Sequence, residues 1–242
     1  MRLFTRPNLI IAVLGLAGVA SLLLVPFEAL VPAALRDEVA GLNPLLFLVQ
    51  PVLLVLAACL AGGMLAQRVG LGAPLIEAMS GGQAQGQGQG RDQTLRRALV
   101  AGLLGGVIAG LVLWAYAVMS PLQGIEIPLA TRILYGGITE EVIARFGIMT
   151  VAVWLISRFA GLSSTVYVAG AAIAAIIFAA GHLPLLFTLA PTASSGLIAF
   201  VLAANFAAGL IFGVLYWRRG LESAMIAHAC AHVFAVLLQA VV

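Results

Sequence analysis

Lysine is absent from the 242 residues: all twelve basic side chains are arginine, against nine Asp and Glu, for a net charge of +3. Charged residues make up only 9% of the chain, and 63% is hydrophobic. A chain so poor in charge cannot cover a soluble domain with polar surface. The positive charge comes from arginines that should flank the spans and carries no message about nucleic acid, and no nucleic-acid partner is expected. Cysteine is nearly missing as well. Cys59 and Cys230 lie far apart in apolar runs, which excludes a CxxC pair and leaves two buried small hydrophobes. Histidine is limited to His182, His228 and His232. What the chain does contain is long apolar runs, and the partner these require is a lipid bilayer.

A helix needs about 20 apolar residues to cross the hydrocarbon core. By that measure the spans lie near 8–30, 43–66, 98–119, 129–157, 165–190, 195–217 and 221–241. This is an all-α, polytopic transmembrane helix bundle of about seven spans. Leu183–Pro191, interrupted by Pro184, is a candidate eighth, re-entrant element. Arg2 and Arg6 before Asn8–Val25 read like the start of a signal peptide. The apolar run is too long for one and no small-residue cleavage site follows, so it reads as an uncleaved first span. The break in the pattern is 67–97, where a short amphipathic piece, Ala73–Met79, precedes a Gly/Gln-rich flexible linker, Ser80–Gly90. Two parts result: 1–97, with two spans and this cytoplasmic loop, and 98–242, the membrane core. With the N-terminus in the cytoplasm, Arg2, Arg6, Arg68, Arg91, Arg96, Arg97, Arg158, Arg218 and Arg219 fall on the cytoplasmic side, and Arg36 and Arg132 opposite. That bias predicts a multi-pass protein of the cell membrane with its N-terminus inside. Gly102, Gly106 and Gly110 share one helix face, as do Gly209 and Gly213, and predict close helix contacts.

The core is organised around Thr139-Glu140-Glu141-Val142-Ile143-Ala144-Arg145, set in an apolar run from Ile127 to Ile156. A charged side chain at mid-bilayer costs about 2.5–3.5 kcal/mol, so three facing lipid would cost roughly 8–10 kcal/mol. Such groups persist where they pair, line a wet cavity or do chemistry, and a single one is more often a packing ion pair. Glu141 and Arg145, four apart, predict an ion pair. Glu140, about 100° further round the helix, is left without a partner in that helix, and a partly desolvated carboxylate suits a general base.

All three histidines lie in predicted spans. His228 and His232, four apart, project from one face, the spacing by which a helix offers two ligands to zinc. His182 follows Phe178 by one turn, where Gly181 and Pro184 open the backbone to water. At about 1.5 Å per residue, Glu140, His182 and His232 lie at similar depths. A carboxylate and three imidazoles in a wet cavity suit hydrolysis, as base, electrophile or metal, and oxyanion donor. A proton-coupled transporter uses the same residue types. Against it, no inverted repeat is visible and the ionisable residues of the spans gather in these motifs.

In order and spacing the motifs resemble those of the CAAX protease and bacteriocin-processing (Abi, CPBP) family of intramembrane proteases. Glu140, Glu141 and Arg145 match Glu-Glu-x-x-x-Arg, and Phe178 and His182 match Phe-x-x-x-His. His228 matches the start of His-x-x-x-Asn/Asp, and His232 departs from its end. The resemblance covers roughly residues 98–241. It implies an intramembrane endopeptidase acting on a peptide or membrane-associated protein. Glu140 would be the base, His182 its partner in activating water, and His228 the donor to the oxyanion. Glu141, Arg145 and Phe178 would be structural or orienting. A metal-centred mechanism is the competing proposal for that family. His232 either replaces the family amide as a donor, or joins His182 and His228 in a three-histidine Zn²⁺ site, or marks a degenerate, non-catalytic member serving as an immunity or scaffold protein.

Overall fold

Backbone amides in hydrocarbon find no water, so apolar runs of this length fold as helices that satisfy their own hydrogen bonds. A computed structural model describes residues 5–26, 31, 35–39, 41–81, 89–119 and 127–241. Among them are seven helices long and apolar enough to cross a membrane: Arg6–Leu24, Pro44–Val69, Asp92–Met119, Leu129–Ala160, Ser164–Leu189, Ser195–Arg219 and Leu221–Gln239. They are numbered here as the first to the seventh span. The described residues contain no strand. Side-chain oxygens of Thr5, Ser163 and Ser194 accept from backbone amides and start the first, fifth and sixth spans.

Three boundaries differ from the sequence reading. The first span ends at Leu24, and residues 27–30 lie outside the described set. The third helix begins at Gln89, so Arg96 and Arg97 belong to it. Of the expected linker Ser80–Gly90, Gln89 and Gly90 are helical, and 82–88 lie outside the described residues. Within the fifth span the helix breaks in a turn at Gly181 and His182, then resumes as Leu183–Leu189 with Pro184 in its first turn. No eighth helix of membrane-crossing length occurs among the described residues.

The fourth span is the axis of the bundle. Thr139 donates to Gly15 O of the first span at 2.7 Å, and Thr131 to Ser21 O at 2.9 Å. Its Phe146 rests on Gly62 of the second span, its Val153 on Gly170 of the fifth, and its Gly137 on Ala229 of the seventh. The third span lies along the seventh, where Gly102, Gly106 and Gly110 admit Ile226, Ala227, Cys230 and Phe234. Gly209 and Gly213 of the sixth span meet Ala175 and Ala171 of the fifth. Both glycine faces expected to pack closely do so.

Two features were not foreseen. The fourth span is wound as π-helix over Arg132–Glu140 and Val142–Met149. This five-residue bonding is normally confined to single turns, often at functional sites. The ionisable span residues are also not confined to the three motifs. Glu222, in the first turn of the seventh span, is buried and accepts from Ile76 N at 2.7 Å. The short helix Pro74–Met79 folds across that turn, and its first amides need an acceptor.

Candidate active site

Glu141 and Arg145 are wholly buried, with Glu141 Oε2 3.2 Å from Arg145 Nε. The contact is an ion pair without hydrogen-bond alignment, because Arg145 Nε and Nη1 and Glu141 Oε2 have no hydrogen-bond partner among the described residues. Arg145 Nη2 instead donates to Gly209 O at 2.7 Å. The guanidinium carbon also lies over the rings of Phe178 and Phe212, 4.9 and 5.5 Å from their centroids. A buried cation is costly unless paired, and two aromatic faces supply attraction where water cannot. Phe178 of the second motif thus supports the arginine of the first.

The other oxygen of Glu141 lies 2.8 Å from Nδ1 of His228. A carboxylate facing Arg145 accepts only, so Nδ1 carries the hydrogen and donates. Nε2 of the same ring then faces Glu140, 3.9 Å from its Oε2. Glu140 was expected to turn away from the side of Glu141. The two carboxylates meet instead at opposite nitrogens of one imidazole, because the ring is wide enough to span neighbouring positions on the helix. They differ in access: Glu140 is 23% exposed, Glu141 not at all.

His228 lies in a column of rings. Phe212 stacks on it at 4.5 Å and 19°, and His232 stacks on it at 5.0 Å and 25°. His232 lies within electrostatic range of Arg132 and His182. His182, half-buried at the break in the fifth span, bonds through Nδ1 to Phe178 O at 2.9 Å. A carbonyl only accepts, so Nδ1 carries that hydrogen and Nε2 is left as an acceptor. The edge of Phe178 joins the two sides, with its centroid 4.7 Å from His182 and 6.0 Å from His228.

Glu140, His228 and His232 are therefore brought together, with the Phe178 ring against both His182 and His228. No hydrogen bond joins His182 to Glu140 among the described residues, and it is His228 that stands nearest the carboxylate. The described residues also contain no group of three or more His, Cys, Asp or Glu side chains arranged to hold a metal ion.

Sequence reasoning missed Phe212, Gly136 and the carbonyl of Gly209. Phe212 belongs to no motif, and a main-chain carbonyl leaves no residue signature. The pair Gly136-Gly137, one turn before Glu140 in a bulky apolar run, is the signal that marks close approach.

Residues 123–234 match a family model described as Rce1-like, Type II CAAX prenyl endopeptidase Rce1-like. The match contains Glu140, His182, His228 and His232, and it is the family type to which the three motifs point. With seven apolar helices, it identifies an integral, multi-pass membrane protein. No curated protein and no solved structure matches the chain.

Proposed function

We propose that this chain, Rce1-like over residues 123–234, is an intramembrane endopeptidase that hydrolyses a peptide bond of a peptide or membrane-associated protein. The observation that carries the reading is the gap between Glu140 Oε2 and His228 Nε2. At 3.9 Å it is too long for a direct hydrogen bond. A water bound beside the pair can reach both, held by Glu140, the one carboxylate of the two that is partly exposed.

In this reading Glu140 takes a proton from that water as its oxygen attacks the substrate carbonyl. His182, whose Nε2 is left as an acceptor, helps to orient the water. His232, standing where the family has an amide, faces the oxygen on which negative charge develops, whereas His228, with its hydrogen on Nδ1, can only accept there through Nε2. The proton on Glu140 passes to the leaving nitrogen, so the carboxylate is regenerated. Glu141 and Arg145 touch neither substrate nor water. They position His228 and hold its hydrogen on Nδ1. The inclusion of all four polar residues in a peptidase family match supports hydrolysis over transport.

The test is Glu140→Gln in detergent-solubilised protein, assayed on peptides with and without a prenylated cysteine. Turnover should fall by about 10²–10⁴, while the thermal unfolding midpoint stays close to wild type. Cleavage at the wild-type rate removes Glu140 as the base.

A further inference from the structure

We infer that Gly136 is a positioning residue: its missing side chain lets an imidazole, in place of the family amide, stand at position 232 against the His228 ring. A Cβ at 136 would lie 2.8 Å from His232 Nε2 and 3.3 Å from its Cδ2. The first distance is well inside van der Waals contact, so either the ring or the helix must move.

The ring is what moves, and moving costs it its stacking. The His232 ring stacks on His228 at 5.0 Å, His228 is backed by Phe212 at 4.5 Å, and His228 is tethered to Glu141 at 2.8 Å. The helix is held by the next residue, since a Cβ at Gly137 would lie only 3.0 Å from the Ala229 backbone. A methyl group at 136 therefore swings the imidazole out of the column, and Nε2 leaves its place beside Gly136 and His228. An asparagine ends near the ring positions next to Cγ, so it has no atom at the place of Nε2. The severe contact then disappears and a small adjustment accommodates the rest. His232 and Gly136 form a matched pair, whereas an asparagine at position 232 tolerates alanine at 136.

The activity arm of this inference rests on the endopeptidase reading, and the stability arm does not. The experiment compares wild type, Gly136→Ala, His232→Asn and the double variant, with thermal unfolding and peptide turnover measured for each. With His232 present, Gly136→Ala should lower turnover by about 10²–10³, the loss of one oxyanion donor, and lower the unfolding midpoint. In the His232→Asn background the same change should alter turnover by no more than about threefold and leave the midpoint unchanged, the non-additivity expected of residues in contact. Gly137→Ala is the contrast: its methyl meets the Ala229 backbone whichever residue stands at 232, so it should be equally harmful in both backgrounds. The inference is overturned if Gly136→Ala behaves like wild type with His232 present, or if it is as harmful in the His232→Asn background as in the wild-type one. If the wild type cleaves no peptide, the endopeptidase reading fails, and the unfolding midpoints alone still decide whether the pair is matched.

Discussion

Two buried carboxylates bear on the seventh span, and they are held in opposite ways. Glu141 reaches it from the fourth span and is answered by side chains, Arg145 at 3.2 Å and His228 at 2.8 Å. Glu222, in the span's own first turn, is answered by a backbone amide, Ile76 N at 2.7 Å. Its second oxygen and the neighbouring Ser223 hydroxyl have no hydrogen-bond partner among the described residues. The first arrangement couples three elements through charged groups and fixes the orientation of a candidate catalytic ring. The second fastens a short helix to a span end and leaves one oxygen unsatisfied. A charge met by other side chains is woven into a network, and a charge met by backbone is a local clasp.

That contrast is broken most directly at Glu141. Glu141→Gln leaves Arg145 buried without its paired carboxylate, and loss of one partner of a buried pair costs about 3–5 kcal/mol. The expected outcome is a large loss of folded protein in size-exclusion and thermal-unfolding measurements, with partial recovery in Glu141→Gln/Arg145→Met. A Glu141→Gln protein as stable as wild type would show that the pair is not the network's anchor.

The next effect in size is confined to activity. His232→Ala should reduce turnover by about 10²–10³ if the ring is an oxyanion donor, and His232→Asn should retain most of the rate. Chelators should then leave the wild type unchanged. Loss of activity in His232→Asn, restored by added Zn²⁺, would assign a metal to the three histidines instead, because an amide oxygen is a poor zinc ligand beside imidazole.

The smallest effect is expected at the clasp. Glu222→Ala orphans the Ile76 amide and should cost about 1–3 kcal/mol. Glu222→Gln keeps an acceptor oxygen and should cost less than the alanine change. Peptide turnover per folded molecule should not change in either variant. If Glu222→Ala destabilises as much as Glu141→Gln, the distinction between network and clasp is lost.

The same distinction explains what could be read before the structure. Seven apolar runs of span length foretell seven helices, since the bilayer permits little else. The Glu141–Arg145 pair and the stacking of His228 on His232 follow from four-residue spacing. The clasp was illegible because its partners lie 146 residues apart and one is main chain. Phe212 escaped notice for a similar reason: one Phe among eleven carries no mark of the arginine beneath it. The third helix was placed too late because Arg96 and Arg97 lowered the local hydropathy, although helix continues through polar residues. The π winding of the fourth span depends on the packing of its neighbours, and no periodicity in that run announces it.

Arg145 has its hydrogen bond from Nη2 to a peptide oxygen, that of Gly209. No point mutation can delete that acceptor, because every residue at 209 brings the same carbonyl. What a mutation can take away is the approach, since a Cβ at 209 would stand 3.3 Å from Nη2 and 3.1 Å from Ala175 Cβ. A genetic screen would therefore report the arginine's partner only by proxy, as intolerance of side chains at a glycine. In lineages that keep Arg145, position 209 is free to drift only as far as the guanidinium and the fifth span leave room.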